Sequence, residues 1–176
     1  MLLAAGAGSR YGSPKVLAHQ GAWLRTAVAA LSEGGCVQVV AVLGAAAEDA
    51  GPLVPHGVST VVAADWATGM SASLRAGLAV AESTTASHAL LHLVDTPDVG
   101  PEVVARVLAS GADIARAGYS GVPGHPVLLS RRYWAQVRDS ATGDHGARDF
   151  LRTRQDVVLV ECGDLATGVD HDRPQP

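Results

Sequence analysis

Gly6, Gly8, Ser9, Arg10, Gly12 and Lys15 stand together in one short stretch, directly after the apolar residues Met1 to Ala4. Glycine lets the backbone come close to phosphate oxygens, and successive bare N–H groups form an anion-binding concavity. With two cations and a hydroxyl in the same loop, the residue types point to a polyphosphate. Two familiar phosphate loops do not fit the spacing. A Walker loop needs Gly-Lys followed by Ser or Thr, whereas here Pro14 precedes Lys15. A dinucleotide fingerprint needs Gly-x-Gly-x-x-Gly, one residue shorter than the run Gly6, Gly8, Gly12. It also wants an acid closing the second strand, where Leu43 and Gly44 stand. The expected ligand is a triphosphate held by a loop of another kind.

Asp95 is the second candidate, in the run Asp95-Thr96-Pro97 that ends an apolar stretch. A carboxylate at a strand tip is placed to hold Mg²⁺ against a triphosphate, because Mg²⁺ takes one or two protein carboxylates and otherwise waters and phosphate oxygens. Capping a turn is the other reading of this residue. Asp98, just before Pro101, reads as a solvated acid or a helix-start residue. The segment from Asp65 to Leu74 opens a helix in which Gly69 permits close backbone approach and Ser71 and Ser73 offer donors, a place for anionic ligand atoms. The alternative there is an ordinary helix start with Trp66 packed over it. Seven histidines invite a zinc reading, but no Cys or acid falls at zinc spacing around His88 and His92, which read as core or edge residues.

These positions need a scaffold, and the hydropathy pattern supplies one. Short Val-rich runs predict strands at 1–5, 37–43, 59–63, 89–94, 113–116, 126–129 and 157–161. Amphipathic stretches predict helices at 22–33, 70–81, 101–110, 131–138 and 147–154. Strands alternating with helices imply an α/β fold with a mostly parallel sheet, and such sheets bind ligands beyond the carboxyl ends of their strands.

The 176 residues are expected to form one domain, 1–176, with 48% hydrophobic and 17% charged residues around an Ala-, Val- and Leu-built core. A net charge of −4 and the lack of a Lys/Arg run argue against nucleic acid as a partner. Cys36 and Cys162 are isolated and read as reduced thiols, which suits a cytoplasmic setting. Neither a signal peptide nor a membrane span is expected, since the apolar start is short and runs straight into the glycines. That same brevity predicts a first strand of almost no length and a start displaced from its natural place.

The run Leu3-Ala4-Ala5-Gly6-Ala7-Gly8-Ser9-Arg10-Tyr11-Gly12-Ser13-Pro14-Lys15 resembles the signature of the MobA/MocA-like nucleotidyltransferases, nearest to the molybdenum-cofactor cytidylyltransferases. The resemblance implies a three-layer α/β/α Rossmann-like fold and the transfer of CMP from CTP to molybdopterin, with release of pyrophosphate. It implies Lys15, Arg10 and Asp95 as catalytic residues. The nucleotide would contact Leu3 to Arg10, Lys15, Asp65, Gly69, Ser73 and Asp95. The metal implied is Mg²⁺ on Asp95, together with Asp170 or Asp172 of a C-terminal segment similar to the family's Asp-x-Asp-Thr-Pro, although Arg173 stands in the Thr position. Gly124-His125-Pro126 and Gly143-Asp144-His145-Gly146-Ala147-Arg148 are similar to the segments that hold the acceptor, implying His125, Asp144 and Arg148 there. Other readings stay open: GTP or another phosphorylated acceptor, an NAD(P)H-dependent oxidoreductase on the same fold, or a non-catalytic accessory protein in transient contact with a molybdenum enzyme.

Overall fold

The structure, a computed structural model, describes residues 1–173. Pro174, which closes the C-terminal motif, lies outside the described residues with Gln175 and Pro176. The apolar runs pair into one sheet of β1 (Leu2–Ala4), β2 (Val40–Leu43), β3 (Ser59–Val62), β4 (His88–Leu93), β5 (Ile114–Tyr119), β6 (Val122–Ser130) and β7 (Val158–Glu161). Their order is β3-β2-β1-β4-β6-β5-β7. The first four are mutually parallel and β7 runs parallel to β5, while β6 is antiparallel to both of its neighbours. Central strands β1 and β2 are buried throughout, as parallel strands covered on both faces must be, hence their unbroken hydrophobicity.

Among the described residues, six helices complete the fold: α1 (Ala18–Glu33), α2 (Ala47–Ala50), α3 (Met70–Glu82), α4 (Pro101–Leu108), α5 (Trp134–Ser140) and α6 (Arg148–Arg152). Leu24, Val28 and Leu31 of α1 and Val103, Val104 and Val107 of α4 pack with Leu2, Ala4 and Leu90 on one face of the sheet. Leu74 and Leu78 of α3, Trp134 and Val137 of α5 and Phe150 of α6 pack with Leu3, Val42 and Leu91 on the other. Successive β1 side chains thus feed opposite cores, giving three layers.

Some boundaries differ from expectation for identifiable reasons. The strands expected at 113–116 and 126–129 extend towards each other into a hairpin. Its turn, Ser120-Gly121, has φ of 53° and 78°, and two left-handed residues twist the chain as the flanking strands require. The register between the two strands shifts between Arg116 and Gly118. The regular turns of α1 begin at Ala22 as expected, because His19, Gln20 and Gly21 are left-handed. The single turn of α2 was not anticipated. Among the described residues, no helix is long and apolar enough to cross a membrane.

Candidate active site

Parallel pairing sets Leu3 of β1 opposite Leu93 of β4, so the glycine loop and Asp95 leave the sheet side by side at its carboxyl edge. The loop is closed on itself at Gly8, which has φ +63° and whose carbonyl accepts the Gly12 N–H at 2.8 Å. A Cβ on Gly8 would lie 1.8 Å from the Ser13 carbonyl oxygen, so glycine is a requirement of the backbone there. Gly6 differs: a Cβ would meet nothing within 4 Å. The fold tolerates a side chain at Gly6, and only a ligand in the loop would be displaced by one.

Lys15 follows Pro14 and begins a short 3₁₀ turn, Lys15–Leu17. Its Nζ donates to Asp95 Oδ2 and to Asp172 Oδ1, each at 2.8 Å, with the lysine side chain only 12% exposed. Arg10 Nη1 donates to Asp172 Oδ2 at 2.5 Å from a side chain that is 78% exposed. Burial pulls the Lys15 ammonium down, but its bonds to Asp172 and Asp95 outweigh that and hold its pKa above the ordinary lysine value. The same Lys15 bond holds Asp172 below the carboxylate range. Asp170 moves the other way, raised by burial and then by the neighbouring Asp95 charge. The chain between them is tied down where the His171 N–H donates to the Asp95 carbonyl at 3.0 Å. Asp172 is therefore the acid that faces Lys15 and Arg10.

Asp95 Oδ1 is buried with no hydrogen-bond partner among the described residues. An orphaned carboxylate oxygen beside a second acid is an anionic position that a cation would satisfy. No three ligating side chains converge there among the described residues. This donor set fits Mg²⁺, which completes its shell with waters and phosphate oxygens rather than with an all-protein cage.

Beside these groups lies a cavity of about 470 Å³. Residues 3 to 10, Lys15, Gly69, Ser73 and Asp95 line it, joined by Trp66, Asp144 and Asp172. Gly69, at φ +116°, brings α3 so close to the 143–144 segment that a Cβ would fall 2.6 Å from Asp144 Oδ1. That contact puts Asp144, expected on the acceptor side, in the lining of the same cavity as the glycine loop. Among the described residues no side chain caps the start of α3; the Ala72 N–H donates to the Gly69 carbonyl at 3.1 Å, leaving those of Met70 and Ser71 available to a ligand. Asp65 does not line the cavity and instead pairs with Arg75 at 3.7 Å on the surface. A second hollow of about 550 Å³ lies at the opposite end of the sheet near Met1, Val40 and His88, and no Lys, Arg, Asp or Glu lines it. The charged lining side chains, Arg10, Lys15, Asp95, Asp144 and Asp172, are at the carboxyl edge.

His125, on β6, and Arg148, opening α6, stand outside the cavity lining. Burial and the neighbouring Arg116 push His125 down to about 4. Arg116 is itself lowered by burial and then by Arg148, and its Nε and Nη2 donate to the Gly124 carbonyl at 3.3 and 3.2 Å. Arg116 thus lies between His125, which also feels the Asp95 charge, and Arg148. Arg116 escaped the sequence reading because it sits in a strand without a motif. Asp98 also proves to be more than a solvated acid: its Oδ2 accepts from Thr167 N (2.7 Å), Thr167 Oγ1 (2.5 Å) and Gly168 N (3.2 Å). His92 is fully buried with both ring nitrogens unpartnered among the described residues, and burial lowers it to about 3.

The MobA-like NTP transferase domain family matches residues 1–158. Over 98% of this chain and 90% of the relative, the chain is 39% identical to the nicotine blue oxidoreductase of Paenarthrobacter nicotinovorans. The crystal structure of an Rv0371c homologue from Mycobacterium sp. strain JC1 superposes with a TM-score of 0.81 at 26% identity, covering 98% of this chain and 88% of that one. The Mycobacterium tuberculosis Rv0371c structure in complex with manganese does so with a TM-score of 0.77 at 26% identity, covering 96% and 90%. A family match over most of the chain and an architecture shared nearly end to end lead to one conclusion: this chain belongs to the MobA-like NTP transferases.

Proposed function

We propose that this protein transfers a nucleoside monophosphate, CMP by preference, from its triphosphate to the terminal phosphate of molybdopterin, releasing pyrophosphate. The observation that carries this reading is Lys15 clasped between Asp95 and Asp172 at the mouth of a glycine-lined cavity, with Asp95 Oδ1 left without a partner. A triphosphate entering the loop takes over Lys15 and Arg10 as partners for its β- and γ-oxygens. The carboxylates of Asp95 and Asp172 would hold Mg²⁺, with Asp170 close by. When bound, that ion supplies charge neutralisation at the α-phosphate. Loop N–H groups and Lys15 offset the charge growing on the leaving pyrophosphate, so catalysis rests on positioning and preset electrostatics. The attacking acceptor phosphate is already an anion near neutral pH, and no general base is required. Arg116, Arg148 and His125 offer donors for the acceptor's anionic groups. The manganese complex of the similar Rv0371c supports a divalent cation in this reading.

A second reading is favoured by the 39% identical relative named nicotine blue oxidoreductase, in which the same cavity takes a nicotinamide or flavin cofactor in place of CTP. One experiment separates them. Pyrophosphate release is measured with each NTP, Mg²⁺ and molybdopterin, beside NAD(P)H consumption with nicotine blue and a Lys15→Ala control. CTP-dependent release that disappears in the control supports transfer; silence with all four triphosphates alongside NAD(P)H consumption overturns it in favour of the oxidoreductase.

A further inference from the structure

Residues 163–173 leave β7 at one edge of the sheet and return across it to the tip of β4. Leu165 and Ala166 N–H groups donate to the Cys162 carbonyl at 2.9 and 3.2 Å, making a turn but fixing no direction beyond it. Direction is set next, where Thr167 N, Thr167 Oγ1 and Gly168 N all converge on the single oxygen Oδ2 of Asp98. Gly168 has φ +62° and lies flat on Tyr119, whose Cε2 would be 2.1 Å from a Cβ at that position. Two residues later the chain presents Asp170, then His171, whose N–H meets the Asp95 carbonyl and whose ring stacks edge-on against Trp23 at 5.4 Å. Asp172 then reaches Lys15. Charge-assisted bonds from a carboxylate to backbone N–H groups are among the stronger hydrogen bonds available to an exposed segment.

We propose that Asp98 is a positioning residue that clamps this arm through Thr167 and Gly168 and so delivers Asp170 and Asp172 to Asp95 and Lys15. The proposal rests on the reading that these carboxylates share a divalent cation. Asp98 does not line the cavity, and it acts only through the arm.

The test uses full-length protein with Mn²⁺ as the probe, titrated by electron paramagnetic resonance, beside amide hydrogen exchange of 163–173. Asp98→Ala is expected to speed exchange across 163–173 by about tenfold and to weaken Mn²⁺ binding by about tenfold, the usual scale for losing a group that orients a metal ligand. Asp98→Asn keeps an oxygen for all three donors and restores both to within about threefold of wild type. Thr167→Val, which leaves Asp98 in place, falls between the two. Unchanged exchange in Asp98→Ala overturns the clamp. A loosened arm with unchanged Mn²⁺ binding, when Asp95→Ala does weaken it, overturns the positioning role. If Asp95→Ala leaves Mn²⁺ binding as in wild type, the shared-cation reading is the one that fails, and exchange alone then decides for or against the clamp.

Discussion

The glycine loop and the C-terminal arm meet at Lys15, yet they are held there by opposite means. The loop springs from β1, buried between β2 and β4, and closes through a bond between Gly12 and Gly8. Its shape is local and backbone-made. The arm is largely exposed and is held by contacts between distant residues, 69 apart for Asp98 and Thr167 and 157 apart for Lys15 and Asp172. A loop built from backbone is preorganised and costs little to maintain. An arm held by side chains in partial contact with water is cheaper to detach, because exposed ion pairs contribute little each. The chain thus joins a rigid half-site to an adjustable one.

The largest effect separates the two halves directly. Lys15→Ala and Asp95→Ala are each expected to lower kcat about 100-fold or more, as losses of preset electrostatic groups do. Arg10→Ala, from a side chain 78% exposed, costs less than about tenfold, because solvent screens it. Pyrophosphate release reads both, and equal losses would erase the distinction between buried and exposed cations. Next comes the backbone. Gly8→Ala should destabilise the protein by about 2 kcal/mol in urea unfolding, since it forces a side chain into a left-handed residue. Gly6→Ala stays within about 0.5 kcal/mol while weakening nucleotide binding; a stable Gly8→Ala would mean the loop is not self-closed.

A third effect lies under the site, in β4. His92 is neutral in the native protein, with a pKa of about 3 against an ordinary 6.5, so the unfolded chain binds its proton first. Stability is then lost as pH falls from about 6.5 towards 3, by up to about 1.4 kcal/mol per pH unit. His92→Phe should flatten that slope in urea midpoints measured across the range, and an unaltered slope would remove His92 as its source. The smallest effect is expected from Asp65→Ala. Its exposed pair with Arg75 is worth within about 0.5 kcal/mol. Turnover should hold within about twofold, since Asp65 does not line the cavity. A large loss of turnover would return Asp65 to the nucleotide site.

Much of this architecture was legible in local patterns. The spacing of Gly6, Gly8, Gly12 and Lys15, the apolar run ending at Asp95 and the helix opening after Gly69 all depend on near neighbours, through allowed φ values and hydrophobic period. Hence the loop, the strand tip and α3 stand where the residues place them. What only the tertiary structure decided depends on distant partners. Pairing with β4 and β5 made β6 antiparallel and lengthened it through Gly124, while β5 ran on through Gly118. The fold of the arm chose Asp172 over Asp170 for Lys15 and joined Asp98 to Thr167. Pairing of β5 with β6 brought Arg116 beside His125, and the start of α3 set Arg75 against Asp65. A conformational preference is written in a few adjacent residues, whereas a contact across the sheet exists only once the chain has closed around its core.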